Sequence, residues 1–289
     1  DGIRDCLLSR GLGDVYKRQL KLPLTCIGIP KTVDNDLPIT DCSPGFGSVA
    51  KYVATSTLEA GLDVKSMSET STKVFILEVM GRHAGWIAAA SALASTNETD
   101  PPHIILMPEV PFAKKKFIDK VKQTVANEGF CVVVASEGTR YKNGMFLADS
   151  GLKDAFGHKQ LGGVAPVLAQ MISSIGLKNH WAVSDYLQRS ARHISSKTDL
   201  DQAYAVGKKA VEFALGGKNA VMPVIKRLSD KPYKWKIESA PLSKVANVEK
   251  TLPKRYISKD GFGITNKGID YLKPLIQGET SIDYQDGIP

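Results

Sequence analysis

The chain has 289 residues, of which 43% are hydrophobic and 24% are charged, so it can bury a large core in one or two domains. No apolar stretch approaches the ~20 residues that cross a bilayer, which argues against a membrane span and predicts a cytoplasmic protein. The net charge of +8 suits an anionic partner, either nucleic acid or phosphorylated metabolites. Because the basic residues are spread along the chain and are not interleaved with aromatic ones, nucleic acid is the weaker alternative.

The first nineteen residues, DGIRDCLLSRGLGDVYKRQ, lack a clear hydrophobic period. They resemble translated sequencing adapter, and we exclude them from the fold prediction as a non-native segment. A native arm is the alternative. On the first interpretation, the natural N-terminus is missing from the printed sequence.

From residue 20 onward, apolar runs alternate with amphipathic runs. Strands are predicted over Leu24–Ile29, Lys73–Val79, His103–Met107, Phe130–Ala135, Trp181–Tyr186, Ala220–Ile225 and Tyr233–Glu238. Helices are predicted over Gly47–Val64, Gly85–Ala94, Phe117–Ala126, Leu161–Ile175, Asp199–Leu215 and Asn266–Leu275. This alternation predicts an α/β fold with parallel sheets covered by helices on both faces. Functional residues of such folds collect at the carboxyl ends of the strands.

The stretch GIPKTVDND follows the first predicted strand and combines a cation, a hydroxyl and two acids. Asp34 and Asp36 can divide proton transfer and magnesium binding through water between them. Thr32 can donate to a phosphate oxygen, and Lys31 can neutralise phosphoryl charge. An ordinary Asp/Asn turn is the alternative.

Two further strand ends carry polar side chains. In EVMGRHAGW, Gly81 permits close backbone approach, Arg82 offers a planar fork for phosphate, and the following helix presents amides to an anion. A tight turn with a surface arginine is the alternative. In ASEGTR, Glu137 can accept from sugar hydroxyls or pair with Arg140.

The last of these stretches, SDYLQRS, places Tyr186 and Arg189 where both could reach one phosphate. By contrast, Gly45–Ala50 fits the pattern G-x-G-x-x-A without a strand directly before it, because the preceding LPITDCSP contains two prolines. A dinucleotide fingerprint requires that strand, so the pattern indicates the start of a helix.

Together and in this order, PKTVDND, MGRHAGW, ASEGTR and SDYLQRS resemble the phosphofructokinase family, from Leu20 to the C-terminus. The resemblance implies two three-layer α/β/α lobes, the first of them incomplete. Residues 20–46 and 190–240 would belong to the donor lobe, residues 47–189 to the sugar-phosphate lobe, and residues 241–289 to a C-terminal segment.

The resemblance also implies roles for matching residues on the side of the transferred phosphoryl group. Asp34 would be the general base for the sugar 1-hydroxyl, and Thr32 would contact the phosphoryl group. Asp36 would help to hold Mg²⁺ through water. Arg82 would stabilise transferred charge.

Other matching residues would bind the sugar phosphate. Val33, Met80 and Gly81 would line its site together with Arg82. Glu137 would accept from the sugar, and Tyr186 and Arg189 would bind the 6-phosphate.

Lys31 bears on the phosphoryl donor. Relatives that use ATP usually have glycine at this position, whereas lysine is typical of the pyrophosphate-dependent branch. The resemblance therefore implies reversible phosphoryl transfer from pyrophosphate to fructose 6-phosphate, giving fructose 1,6-bisphosphate. An ATP-dependent enzyme and a non-catalytic, sugar-phosphate-binding regulatory subunit are the alternatives.

The sequence departs from the family pattern in two ways. Lys73 and His180 stand where arginines of a neighbouring subunit commonly bind the 6-phosphate, and a homodimer or homotetramer is implied. The family's N-terminal glycine-rich loop and Gly-Gly-Asp segment, which supplies the principal magnesium ligand, have no counterpart here. The printed chain is therefore expected to be inactive by itself.

Overall fold

The computed structural model describes residues 24–97, 99–153, 159–161 and 163–289. The adapter-like segment 1–19 lies outside these residues. The main element is a four-stranded parallel sheet with the strand order β2-β3-β1-β6. Its strands are β1 (Val74–Val79), β2 (Ile104–Leu106), β3 (Cys131–Ser136) and β6 (Asn179–Val183).

Helices cover both faces of this sheet. On one face, Val74 and Ile76 of β1 pack with Phe117, Leu168 and their neighbours on two helices. On the other face, Leu77 and Val79 pack with the long helix that begins at Phe46 and with the short helix at Trp86. The alternation follows from the period of two in a strand, and it creates the predicted three-layer arrangement.

Seven helices lie in the described part of the chain, and most match the predicted spans. They are α1 (Phe46–Met67), α2 (Trp86–Ala90), α3 (Lys114–Glu128), α4 (Val164–Ser173), α5 (Leu187–Ser190), α6 (Lys197–Leu215) and α7 (Asn266–Leu272). None of these helices combines the length and the apolar character needed to cross a membrane.

Among the described residues, four strands lie outside the parallel sheet. Strands β7 (Val221–Asp230) and β8 (Tyr233–Pro241) form an antiparallel hairpin, and β4 (Asp149–Lys153) pairs with β5 (Lys159–Leu161). The first pair was predicted as strands, but its antiparallel pairing departs from the alternating pattern. Only two residues connect β7 to β8. This connection is too short for the crossover that parallel pairing requires, so the two strands pair antiparallel.

The prediction of a strand over Leu24–Ile29 is wrong. Its pairing is limited to one bridge between Ile27 and Val221, with hydrogen bonds from Gly28 N–H to the Val221 carbonyl and from Ala220 N–H to the Cys26 carbonyl. The Cys26 N–H donates to the Asn219 side chain at 2.9 Å, so the ladder does not continue.

Two other predicted boundaries are also wrong. The helix predicted from Leu161 begins at Val164, because Gly163 has a φ of 93° and Leu161 belongs to β5. The strand predicted to reach Tyr186 ends at Val183, because the chain turns at Asp185, where φ is 36°.

His103 lies just before β2 and is half-buried. The Val132 N–H donates to its Nδ1 atom at 2.9 Å, and the ring packs edge-on against Phe130. Burial lowers the pKa of His103 to about 4. In the unfolded chain the imidazole takes up a proton near pH 6.5, so stability is lost as the pH falls from 6.5 towards 4.

We therefore expect the wild type to lose roughly 1–2 kcal/mol more unfolding free energy than His103→Gln between pH 7 and pH 5. Urea unfolding at both pH values measures this difference. The exposed His180→Gln variant is the control and should follow the wild type. An equal pH dependence in wild type and His103→Gln would contradict the assignment.

Candidate active site

Three of the four polar stretches follow neighbouring strands at one edge of the parallel sheet. Met80–Trp86 follows β1, Glu137–Arg140 follows β3, and Ser184–Ser190 follows β6. The carboxyl ends of parallel strands lie at the same edge, so the sheet brings these stretches together.

Glycines allow the first two stretches to touch. A Cβ atom on Gly138 would lie 2.1 Å from the Arg82 carbonyl oxygen, and Gly81 has a φ of 122°. The Ser136 hydroxyl donates to the Gly81 carbonyl, and Arg140 Nη2 donates to the Arg82 carbonyl at 3.1 Å. Arg140 therefore holds the backbone of the turn, in place of the ion pair with Glu137 considered from the sequence.

Glu137 lies between charged groups from three segments. Burial raises the pKa of Glu137, the Arg82 guanidinium opposes the rise, and the Asp34 and Glu78 carboxylates add to it. Hydrogen bonds through Lys250 join the Asp34-bearing turn to the stretch after β1, because its Nζ donates to Asn35 Oδ1 at 3.2 Å and its carbonyl accepts from Trp86 Nε1 at 2.8 Å. We call Thr32, Asp34, Gly81, Arg82 and Glu137 the strand-end site.

The turn that carries the two acids is held by its own side chains. Thr32 Oγ1 donates to Asp34 Oδ2 at 3.1 Å, and the Asp34 N–H donates to Thr32 Oγ1 at 3.2 Å. Asn35 between the acids is fully buried and has a left-handed φ of 55°. Its side chain accepts from the Ser43 N–H at 3.0 Å and lies 3.3 Å from the Tyr271 hydroxyl. Asn35 therefore anchors the turn and leaves the half-buried Asp34 carboxylate open on one side.

Lys31 and Val33 flank the buried Thr32. Lys31 is exposed, and Val33 packs against the core beside Gly45. The half-buried Asp36 is tied down through its carbonyl, which accepts from the Lys250 N–H at 2.7 Å.

Lys250 is the main residue that sequence reasoning missed. It is half-buried, and its Nζ donates to Asn35 Oδ1, to the Thr40 carbonyl and to the Asp41 carbonyl at 2.8–3.2 Å. Burial lowers the pKa of Lys250 to about 8, although nearby carboxylates oppose the shift. Its carbonyl accepts from Trp86 Nε1 at 2.8 Å, so Lys250 connects the turn of Asp34 and Asp36 with the Met80–Trp86 stretch. The lysine is more than 200 residues from that turn, and no local pattern signals the contact.

The Ser184–Ser190 stretch is linked to Met80 through Gln188. The buried Gln188 side chain accepts from the Met80 N–H at 3.3 Å. Tyr186 and Arg189 are both exposed, and the guanidinium carbon lies 4.2 Å from the centre of the tyrosine ring. This stacking presents the two side chains side by side.

Lys73 and His180 lie at the opposite edge of the sheet. Lys73 precedes β1, its Nζ donates to the Ser68 carbonyl, and His180 pairs with Phe75 near the start of β6. They do not join the strand-end site of their own chain, and their predicted role in a neighbouring subunit's site stays a prediction.

Carboxylates of the chain itself occupy the starts of α1 and α2. Asp199 accepts from the Gly45 N–H at 2.8 Å and from the Ser48 N–H at 3.0 Å, which confirms the pattern Gly45–Ala50 as a helix start. Glu109 accepts from the Gly85 N–H at 3.0 Å. The Gly85 amide lies in the stretch predicted to bind an anion, and it donates instead to a carboxylate of the chain itself.

Glu78 is a further buried acid that the sequence did not single out as a site residue. Its carboxylate accepts from the Ala165 N–H at 2.8 Å, at the start of α4. Burial raises the pKa of Glu78, and the helix amides oppose this shift. Glu78 therefore joins β1 to α4 beneath the strand-end site.

The chain combines a three-layer α/β fold with polar groups gathered at the carboxyl edge of a parallel sheet. The family model described as phosphofructokinase matches residues 9–214, and the chain belongs to this family.

Similar proteins come from several bacteria. A pyrophosphate–fructose 6-phosphate 1-phosphotransferase from Halomonas elongata is 65% identical over 92% of this chain and 64% of the relative. A protein of the same name from Methylococcus capsulatus is 58% identical over 94% of this chain and 65% of the relative. The chain thus spans just under two thirds of the length of these relatives.

A solved structure agrees with these sequence matches. The crystal structure of a pyrophosphate-dependent phosphofructokinase from Marinobacter aquaeolei has a TM-score of 0.87 and 57% identity. The match covers 99% of this chain and 68% of that protein. The described fold is therefore similar to a large part of that structure.

Proposed function

We propose that the chain belongs to an enzyme that transfers a phosphoryl group from pyrophosphate to the 1-hydroxyl of fructose 6-phosphate, producing fructose 1,6-bisphosphate. The names of its close relatives support this proposal. The observation that carries it is the grouping of Asp34, Arg82 and Glu137, since hydrogen bonds through Lys250 join the turn of Asp34 to the stretch after β1, and Arg140 joins that stretch to the one after β3. Phosphoryl transfer depends mainly on positioning and charge neutralisation, and these residue types can supply both.

The proposed reaction assigns one task to each residue of the strand-end site. Asp34, oriented by Thr32, accepts the proton of the attacking hydroxyl. Arg82 neutralises charge on the transferring group. Glu137 accepts a hydrogen bond from the sugar, and Gly81 allows the backbone to approach it.

The sugar phosphate itself would be held by neighbouring residues. Tyr186 and Arg189, stacked and exposed, bind the 6-phosphate of fructose 6-phosphate. Val33 and Met80 line the sugar site, and Lys73 would act on the site of a neighbouring subunit in a homodimer or homotetramer.

Magnesium fits this site through the chemistry of its carboxylates. In the part of the chain that the structure describes, no three His, Cys, Asp or Glu side chains are grouped to hold a metal. Mg²⁺ commonly keeps several waters and takes only one or two carboxylates together with substrate phosphates. Asp36, acting through water, would hold the ion, which would supply charge neutralisation at the phosphates.

The remaining assignments belong to the same proposal. Residues 20–46 and 190–240 form the donor lobe, residues 47–189 the sugar-phosphate lobe, and residues 241–289 the C-terminal segment. The free thiols of Cys26, Cys42 and Cys131 are consistent with a reducing compartment such as the cytoplasm.

The donor is tested by Lys31→Gly in the complete gene product that carries this sequence. Removing a cation beside phosphoryl charge is expected to lower kcat/KM for pyrophosphate about ten- to a hundredfold. Lys31→Arg keeps the charge and should lose less. Steady-state rates with pyrophosphate and with ATP, at saturating fructose 6-phosphate, measure both effects.

Two outcomes would contradict the proposal. Wild-type turnover that is faster with ATP than with pyrophosphate would make the protein an ATP-dependent enzyme. Binding of fructose 6-phosphate without turnover on either donor would indicate a regulatory subunit.

A further inference from the structure

A cavity of about 590 Å³ lies away from the strand-end site, between β7, residues 39–41 and the segment from Lys250 to Tyr271. No residue of the strand-end site lines it. We call it the basic cavity, after its lining residues Lys226, Lys250, Arg255 and Lys267. Its volume is within the range of small-molecule sites.

The acids that line the basic cavity are already paired. Arg227 binds Asp41 at 2.9 Å and Asp230 at 2.8 Å. Lys231 binds Asp270 at 2.8 Å. Arg227 and Lys231 therefore offset two of the three negative charges of the wall, and neither Lys226, Arg255 nor Lys267 takes part in these pairs.

Three lining cations form no ion pair in the part of the chain that the structure describes, although a hydrogen bond from Lys236 and the nearby charge of Lys226 both lower the pKa of Glu238. Lys226, Arg255 and Lys267 are exposed, and none of them takes part in the ion pairs found among the described residues. They converge on one concave wall from β7, from the segment before Tyr256 and from the first turn of α7. The cavity is lined by five basic and three acidic side chains. A concave surface with such an excess of positive charge concentrates negative counter-ions, so the cavity favours an anion.

The floor of the cavity supports the same chemistry. Lys250, whose Nζ donates to the Thr40 and Asp41 carbonyls, contributes a further, half-buried cation. Trp86 and Tyr271 pack beneath it, and the Lys250 Nζ lies 5.3 Å from the centre of the Trp86 ring. Such packed walls are preformed, which lowers the entropic cost of binding.

We propose that the basic cavity binds a small, multiply charged oxyanion, either a phosphate compound or a polycarboxylate, at a site separate from the strand-end site. Lys226, Arg255 and Lys267 contact the anion, and Lys250 forms the floor. Lys250 Nζ also donates to Asn35 Oδ1 in the turn of Asp34 and Asp36. The bound anion is therefore separated from that turn only by the Lys250 side chain.

Isothermal titration calorimetry on the full chain at constant ionic strength tests this proposal with inorganic phosphate and with citrate. At least one of the two anions is expected to bind to the wild type. Which of them binds more tightly distinguishes phosphate compounds from polycarboxylates. In Lys226→Glu/Lys267→Glu the affinity should fall at least about tenfold, because two attractive charges become repulsive.

The matched control is Lys254→Glu/Lys273→Glu. It makes the same change of charge at exposed positions that do not line the cavity, and it should bind like the wild type. If the charge-reversal variant fails to fold, Lys226→Gln/Lys267→Gln replaces it in the measurement, because it changes the charge less. This variant should also bind the anions more weakly than the wild type.

Two results would overturn the proposal. One is that neither anion binds at millimolar concentration. The other is that binding survives the cavity variants and is lost in Arg82→Ala, which would place the anion in the strand-end site. Because the measurement needs no turnover, it can succeed or fail independently of the pyrophosphate assignment.

Discussion

Replacing Asp34 with asparagine is expected to lower kcat by about 10²- to 10⁴-fold in the complete gene product, the range that a general base contributes. Asparagine has nearly the same shape and can still accept from the Thr32 hydroxyl, which lies 3.1 Å from the Asp34 carboxylate. It cannot take the proton of the sugar hydroxyl. Turnover should therefore fall while the turn keeps its conformation.

Binding measurements separate this role from a structural one. The dissociation constant for fructose 6-phosphate, measured by calorimetry, should change less than about threefold, because the side chain keeps its size and its hydrogen bond. The exposed Asp119→Asn variant on α3 is the control and should match the wild type in turnover. Equal loss of binding and turnover in Asp34→Asn would contradict the assignment of a base.

Replacing Gly138 with alanine is expected to destabilise the protein by about 1–3 kcal/mol, the usual effect of overpacking. The new Cβ would lie 2.1 Å from the Arg82 carbonyl oxygen and 2.7 Å from the Gly81 carbonyl oxygen. Both are backbone atoms, so the turn itself must move. Because the turn carries the Arg82 guanidinium, affinity for fructose 6-phosphate should also fall, by about tenfold or more.

Gly207→Ala is a matched control with the opposite expected sign. Gly207 lies within α6 and has no neighbour within 4 Å of an added Cβ, so alanine should stabilise the helix by about 0.5–1 kcal/mol. Urea unfolding measures both variants, and calorimetry measures their sugar-phosphate affinity. Unchanged stability and affinity in Gly138→Ala would show that the contact between the two stretches is unimportant.

The segment from Glu249 to Leu252 ties the polar stretches to the C-terminal part of the chain. Glu249 pairs with His83 at 2.7 Å, and the Leu252 N–H donates to Glu109 at 2.8 Å. Lys250, which lies between them, contacts the turn of Asp34 and Asp36. The segment Glu249–Leu252 therefore packs against both that turn and the start of α2. Substitutions here can therefore alter the site without touching a substrate.

Much of the parallel sheet and the four polar stretches could be predicted from the sequence. Strand β3 is a nearly uniform apolar run, and α1 carries its apolar residues at helical spacing. These patterns reflect burial on one or two faces, which is a local property of the chain. The rule that places function at strand ends indicated Arg82, Glu137 and Tyr186, which follow parallel strands, whereas Asp34 was indicated by a predicted strand that the structure does not contain.

Contacts between distant residues decided the rest. Leu24–Ile29 has the composition of a strand, but its edge hydrogen bonds end at the Asn219 side chain. Asn35 anchors its turn in part through Lys250 and Tyr271, which lie 215 and 236 residues further along the chain. The pairing of Asp199 with the start of α1, and the convergence of three cations on the basic cavity, likewise join segments far apart in sequence. Local spacing determines which face of an element is buried, whereas only tertiary packing determines which partner lies against that face.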